Sequence, residues 1–334
     1  MNTSLDWVHP DCRAWFQGEN PMVLGVSGGA DSMALLYHTL ESAARQPEQV
    51  VVGHFNHHVR ENSHEDEQFV RLTCQRLGVH CQIAHWTPCQ TGNLYEEARL
   101  ARYEFLTRLA LQWGAPAVAV AHHGDDQGET FLQHLLRGSG LRGLTGISPS
   151  RRLAQGVQLL RPLLHWRRGE IEAWLTARNL TWCHDPGNDS IQRQRGWLRH
   201  QVIPGLEQTL QKDPIPALMA TSSRLHQADA ALEWMVEEIW PQLQVDKQED
   251  CLVLQAAPLA RLPAELVKRV VERCRSLVLE APHPIGQRGA TGIIRQLYSS
   301  QPHWLVEVNG ITLCREGEKI TIFKGRRRKK TMNG

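Results

Sequence analysis

Two stretches of this 334-residue chain carry the residue types and spacing that nucleotide chemistry needs. The first is Ser27-Gly28-Gly29-Ala30-Asp31-Ser32, directly after the apolar run at 23–26. Glycines let a backbone turn where a Cβ would clash, and successive N–H groups at such a loop and at the helix start beyond it converge on one spot, which suits a phosphate. Ser27 and Ser32 add hydroxyls, and Asp31 can cap the helix or hold a cation beside bound phosphates. A plain strand-to-helix turn is the bland alternative, but the whole SGGADS string after an apolar strand favours the phosphate loop. The familiar nucleotide loop ending in Gly-Lys-Ser/Thr is not used here, since alanine follows Gly29. The second stretch is AHHGDDQGETFL at 121–132, with Asp125, Asp126 and Glu129. Asp126 and Glu129 stand three apart and share a helix face. Paired carboxylates opposite a phosphate loop suit Mg²⁺ on pyrophosphate, or an ammonium that must lose its proton. Asp125 also suits a plain capping role at the helix start.

Other polar clusters are less specific. His54, Asn56, His57 and Arg60 in HFNHHVR suit a ribose, a phosphate or RNA, and lack the cysteine or carboxylate spacing of a metal site. Arg99 and Arg102 share a helix face, but Glu96 precedes Arg99 by three, and alone this stretch favours a solvated ion-paired face. Arg137, beside Gly138 and Gly140, forms a basic loop able to reach phosphates. Asp185 and Asn188 precede Arg193, Arg195, Trp197, Arg199 and His200, a basic aromatic segment that fits single-stranded RNA or, equally, an arginine-faced amphipathic helix.

Something must bring these groups together. Apolar runs at 22–26, 50–54, 81–85 and 117–121 alternate with helical patterns, and 151–164 reads as a further strand or hairpin. The alternation predicts an α/β class, an open parallel five-stranded sheet with helices on both faces. Ligands of such sheets sit beyond the strand carboxyl ends, where Ser27, His54 and His122 all fall. The expected division is a catalytic domain at 1–207, a linker at 208–216 marked by Pro214 and Pro216, and a smaller, mainly helical domain at 217–324 that ends in two or three short strands, with Asn309-Gly310 as a hairpin turn. Residues 325–334 form a basic tail, part of the run KGRRRKK at 324–330.

Bulk properties exclude some classes. With 41% hydrophobic and 22% charged residues the chain is globular, and a formal net charge of +2 does not announce nucleic-acid binding. Eight cysteines at 12, 74, 81, 89, 183, 251, 274 and 314 include no CxxC pair, which argues against a zinc ribbon or iron–sulfur site. They read as reduced thiols of a cytoplasmic protein with no signal peptide, and no apolar run approaches the ~18 residues of a membrane span.

The SGGADS string resembles the PP-loop of the ATP pyrophosphatases, which cut ATP between the α and β phosphates. The ordered set SGGADS, HFNHHVR, NLYEEARLARYEFL, AHHGDDQGETFL with RGSGLRGL, RPLL, and D-x-x-N leading into R-x-x-L-R resembles the tRNA(Ile)-lysidine synthases over residues 22–205. That resemblance implies a ligase that uses ATP and Mg²⁺ to adenylate O2 of the wobble cytidine in the isoleucine tRNA with a CAU anticodon. The ε-amine of free L-lysine then displaces AMP at C2, changing codon reading from AUG to AUA. It implies ATP binding by Ser27, Gly28, Gly29, Ala30, Asp31, Ser32, His54 and Arg102, catalysis by Asp31, Asp126 and Glu129, and Mg²⁺ on Asp31 and Asp126. Lysine and tRNA would be bound by Asn56, His57, Arg60, Arg99, Arg137, Asp185, Asn188, Arg195 and Arg199. The sequence departs from the family pattern at Gly128, Gly187 and Gly196. Alternatives are a PP-loop tRNA thiolase, for which Cys81 or Cys183 would have to project into the crevice, and a non-catalytic tRNA-binding relic.

Overall fold

The computed structural model describes residues 5–41, 45–57, 63–87, 94–183, 194–243, 246–248, 251–279, 285–299 and 301–325. Arg60, Asp185, Asn188, Arg193 and the basic run beyond Gly325 lie outside them. The chain divides into two compact units, Met1–His226 and Gln227–Gly334. Among the described residues no helix is long and apolar enough to cross a membrane.

In the first unit a short helix, α1 (Arg13–Gln17), leads into β1 (Met22–Gly25), and α2 (Ala30–Glu41) follows across the glycine loop. The alternation continues through β2 (Val50–Asn56), α3 (Ser63–Leu77), β3 (His80–His85), α4 (Leu94–Gln112), β4 (Ala117–Val120) and α5 (Gly124–Leu136). A single turn, α6 (Leu141–Leu144), precedes the hairpin of β5 (Ser150–Ala154) and β6 (Val157–Leu160). Then come α7 (Arg168–Thr176), α8 (Gln194–Trp197), a π-helical turn at Leu198–Val202, α9 (Ile203–Leu210) and α10 (Ile215–Ile239).

The strands form one sheet in the order β3-β2-β1-β4-β6-β5. Its first five are parallel, as the alternation requires, and β5 adds a sixth strand, antiparallel to β6. Successive side chains of a strand point to opposite faces, and both faces here are covered. Met22 and Leu24 pack with Met33 and Leu36 of α2, Val70 of α3 and Ile171 and Leu175 of α7. Val23, Val51 and Val118 pack with Phe105, Leu106 and Leu109 of α4 on the other face. Gly53 allows that close approach, because a Cβ there would stand 2.6 Å from Leu106 Cδ2.

β1 pairs with β2 on one side and β4 on the other, so the chain order reverses between β1 and β4. The loops after these two strands therefore open the crevice where such sheets bind ligands. They carry SGGADS and HHGDD. The unit continues past 208–216 into α10, whose Ile215, Met219 and Ser222 pack against α5 and the loop after it.

The second unit builds on a five-stranded antiparallel sheet, more extensive than the short terminal strands expected. Its strands are β7 (Asp246–Lys247), β8 (Cys251–Gln255), β9 (His303–Val308), β10 (Ile311–Glu316) and β11 (Lys319–Lys324), in the order β7-β8-β11-β10-β9. Its helices are the end of α10, α11 (Ala256–Ala260), α12 (Ala264–Leu279) and α13 (Gln287–Leu297). Val267, Val270 and Cys274 of α12 share a core with Leu313, Ile320 and Ile322 of the sheet. Asn309 and Gly310 both take positive φ, 45° and 87°, as a tight hairpin turn demands.

Candidate active site

The loop after β1 holds itself open with its own hydroxyls. Gly28 sits at φ +98°, a value that L side chains rarely adopt. The backbone N–H groups of Ser27 and Gly28 donate to Ser32 Oγ at 3.1 and 3.2 Å, and Ser32 Oγ donates to the Gly29 carbonyl at 3.0 Å. Ser32 thus shapes the loop while also lining the cleft beside it. The Cys183 N–H pins Gly28 from outside, donating to its carbonyl at 2.9 Å.

Asp31 opens α2 and Asp126 lies in the first turn of α5. Both meet His123, which is 4% exposed: its Nε2 lies 3.6 Å from Asp31 Oδ2 and 3.6 Å from Asp126 Oδ2. His123 Nδ1 faces Asp125 Oδ2 at 3.4 Å. Burial opposes charge on this imidazole, but Asp126, Asp125 and Asp31 outweigh it and raise its pKa to about 9. Burial likewise raises the Asp31 pKa, partly offset by His123. Asp31 Oδ1 is buried with no hydrogen-bond partner. An orphaned buried carboxylate oxygen facing a second carboxylate fits a hard cation that keeps waters and phosphate oxygens as its remaining ligands. Among the described residues no group of three His, Cys, Asp or Glu side chains stands ready to hold a metal by itself.

Asp125 serves a different purpose. Its Oδ1 accepts from Arg167 Nε and Nη2 at 3.1 and 2.7 Å, and its Oδ2 accepts the Arg168 N–H at 2.8 Å. Burial opposes its charge, but His123, Arg167 and the Arg168 N–H hold its pKa well below the usual carboxylate range. Arg167 also donates to Asp213, whose other oxygen accepts the Ile215 N–H at 2.9 Å. The clasp ties the starts of α5, α7 and α10 together.

Glu129 is 1% exposed and closed over by arginines. Arg199, on the π-helical turn, donates to both its oxygens, Nε to Oε1 at 2.6 Å and Nη2 to Oε2 at 3.1 Å. Arg195 Nε stands 3.3 Å from Oε2, and Arg195 and Arg199 approach Asp126 Oδ1 at 3.7 and 3.6 Å. Two arginines expected on the RNA side therefore sit on the carboxylates expected to face lysine.

Between these groups lies a cleft of about 260 Å³. One end is apolar, walled by Gly25, Gly53, Phe55, Leu106 and Val120; the other is polar, with Ser27, Gly29, Asp31, Asp126 and Arg199. Arg102 and His57 line it too. Four expected contacts fall elsewhere. His54 does not line the cleft but is buried behind the loop, with Nδ1 2.9 Å from the Val26 carbonyl. Asn56 is buried and donates to Glu67 Oε2 at 3.2 Å. Arg137 is exposed and donates to Gln194 Oε1 at 2.8 Å. Arg99 lies on a separate groove beside α4. Of the two cysteines weighed for sulfur chemistry, Cys183 lines the cleft and Cys81 does not. Sequence reasoning missed His123; its place between a strand end and two aspartates was the available signal. It also missed Arg167 and Arg168, whose partner Asp125 is more than 40 residues away.

A switch-point cleft with a glycine phosphate loop and an opposed carboxylate pair defines an ATP-binding domain of the PP-loop class, and the PP-loop domain family matches residues 6–206. A tRNA(Ile)-lysidine synthase of Novosphingobium aromaticivorans is 35% identical over 275 residues, covering 81% of each chain. The chain belongs to the tRNA(Ile)-lysidine synthase family. A Bacillus cereus relative of the same name is 39% identical over 198 residues, 58% of this chain and 41% of its own. One from Geobacter sulfurreducens is 34% identical over 268 residues, 78% of this chain and 56% of its own. The chain thus spans less than half the length of the Bacillus relative. A solved structure of the U34-tRNA thiolase NcsA from Methanococcus maripaludis superposes with a TM-score of 0.54 at 17% identity, over 64% of this chain and 74% of that one, a likeness of fold alone.

Proposed function

We propose that the chain is an ATP-dependent ligase that forms lysidine at the wobble cytidine of the isoleucine tRNA with a CAU anticodon, using free L-lysine. The observation that carries this reading is the meeting of Asp31 and Asp126, 3.6 Å each from one imidazole nitrogen, in a chain of this family. Adenine would occupy the apolar end of the cleft, and the phosphates would lie along residues 27–32 with Arg102 beside them. Cytidine O2 would attack the α-phosphorus, and the α–β bridge would break to release pyrophosphate. The carbonyl oxygen thereby becomes a good leaving group. The lysine ε-amine would then attack C2, the C2–O bond would break, and AMP would depart.

That amine has an ordinary pKa near ~10.4 and must shed a proton before it attacks. Asp126 and Glu129 would bind the ammonium, and one of them would take the proton. Asp31 and Asp126 would hold Mg²⁺, which supplies charge neutralisation for the pyrophosphate. Arg195 and Arg199 would move from the carboxylates to phosphate as lysine enters. Cys183 in the cleft favours one competing reading, thiolation of a tRNA base. Incubation with lysine, ATP and isoleucine tRNA transcript, scored by the mass of the wobble nucleoside, separates them. A gain of one lysine less water is the expected result. A sulfur-for-oxygen gain, or none, overturns it.

A further inference from the structure

Tyr103 of α4 is buried, and three guanidiniums stand over its ring: Arg102 at 5.1 Å, Arg151 at 5.3 Å and Arg99 at 5.5 Å from the centroid. A fourth, Arg161, is 4% exposed and donates to His122 Nδ1 at 3.2 Å and to the Ser148 carbonyl. None of the four is ion-paired to a carboxylate among the described residues. Their joint field pulls the Tyr103 phenol below its ordinary pKa: burial opposes this, and Arg102, Arg161 and Arg99 outweigh burial. Arg102 Nε is buried with no hydrogen-bond partner. Like charges gathered around one ring repel, and cation–π attraction offsets only part of that. Such a cluster is built to receive anions.

The cluster faces two openings. Arg102 lines the ATP cleft. Arg99, Arg151 and Tyr103 instead line a separate groove of about 690 Å³ between α4 and the edge strand β5, with Arg108, Glu96 and Glu104 at its sides. Arg99, Arg108 and Arg151 are exposed, so the groove is reachable by a large partner. Guanidiniums held against an aromatic ring keep their donors in a fixed fork that matches phosphate oxygens.

We infer that Arg99, Arg151 and Tyr103 form a docking groove for the phosphate backbone of the RNA substrate, separate from the ATP cleft. The inference rests on the tRNA reading above and adds a surface that includes β5. An RNA strand in this groove lies one aromatic ring away from the arginine that faces the nucleotide. RNA bound there neutralises the outer half of the cluster, as ATP phosphates neutralise the inner half.

The test is the salt dependence of binding isoleucine tRNA transcript to the full chain. Wild type, the Arg99→Gln/Arg151→Gln double variant and an Arg178→Gln control are compared across a potassium chloride series. Arg178 is an exposed arginine stacked on Trp174, away from the groove. Losing two phosphate contacts makes the slope of log K against log salt shallower by about 1.4–1.8 and weakens low-salt binding at least tenfold. The control keeps the wild-type slope. Restoring the charges as Arg99→Lys/Arg151→Lys recovers most of the slope, which a merely structural role would not predict. A double-variant slope equal to wild type overturns the groove and leaves the tRNA reading standing. Wild-type protein that binds no tRNA at any salt overturns both.

Discussion

Arg199 closes on Glu129 through two hydrogen bonds of 2.6 and 3.1 Å across 70 residues of sequence, and the carboxylate beneath is 1% exposed. In the proposed reaction the lysine ammonium would take the place of the guanidinium. Glu129→Gln keeps the shape and removes the charge, so we expect the KM for lysine to rise at least tenfold, about 1.4 kcal/mol of ion pairing, with a smaller change in the KM for ATP. Steady-state lysine incorporation reads both constants. Equal rises in the two would remove Glu129 from lysine binding.

Asp31 is expected to act at the ATP stage. Asp31→Asn should slow pyrophosphate release by about 10²-fold or more while tRNA affinity stays within about twofold. Pyrophosphate release and filter binding check the two halves. A loss of affinity matching the loss of rate would point to a collapsed site.

Glycines 124 and 128 make unequal predictions though they share a helix. A Cβ at Gly124 would stand 2.9 Å from the Trp166 backbone carbonyl and 2.6 Å from Met219 Sδ, whereas one at Gly128 would meet only Ile215, its Cδ1 nearest at 2.5 Å. A backbone carbonyl cannot rotate away, but the end of an isoleucine can. Gly124→Ala should cost about 1–3 kcal/mol in urea unfolding and Gly128→Ala less, with Ile215→Val relieving the second only. Equal costs would sink the distinction.

His38 is stacked between Trp7, at 4.8 Å and 13°, and Trp174, at 3.7 Å and 24°. Burial lowers its pKa to about 3, with a smaller contribution from Arg178. The unfolded imidazole titrates near ~6.5, so between that pH and 3 the unfolded chain binds a proton that the folded chain refuses. Stability from this group is full above pH ~6.5 and falls as pH drops through the window, by about 2 kcal/mol between pH 7 and 5. His38→Phe should flatten the wild-type loss by that amount in denaturant titrations at the two pH values. An unchanged pH dependence would show that His38 is protonated in the folded state.

Arg269 is a buried charge of the second unit, with a side chain 2% exposed. It donates to Asp229 and Glu233 at the end of α10 and to Glu265 at 3.1 Å. Arg269→Met removes the guanidinium that part-buried Asp229 and half-exposed Glu233 and Glu265 share, and should cost about 1–3 kcal/mol, read as a lowered urea midpoint. An unchanged midpoint would mean that the ion pairs contribute nothing net to the fold.

Local chemistry was legible in order along the chain. SGGADS after an apolar strand and AVAVA before HHGDD are each decided within about ten residues, so the phosphate loop, the parallel strands and the carboxylate helix could be read directly. The Asn309-Gly310 turn was equally plain, because its φ values are a property of two residues. Strand alternation also fixed which ends of the sheet would face a ligand.

What the tertiary structure alone decided is which groups meet. Asp125 looked like one more member of the carboxylate set, yet Arg167 and Arg168, more than 40 residues on, take both its oxygens and make it a clasp. Arg195 and Arg199, read as lysine or RNA contacts, sit on Glu129 and Asp126, a pairing that no local pattern announces. His54, expected at the nucleotide, is buried behind the loop. The Arg99–Arg102 face favoured ordinary ion pairs until Arg151, from the edge strand, joined it around Tyr103. The reason is physical: backbone propensity and apolar period act over a few residues, whereas the partner of a charge is chosen by whichever distant segment the packed sheet brings within a few ångströms.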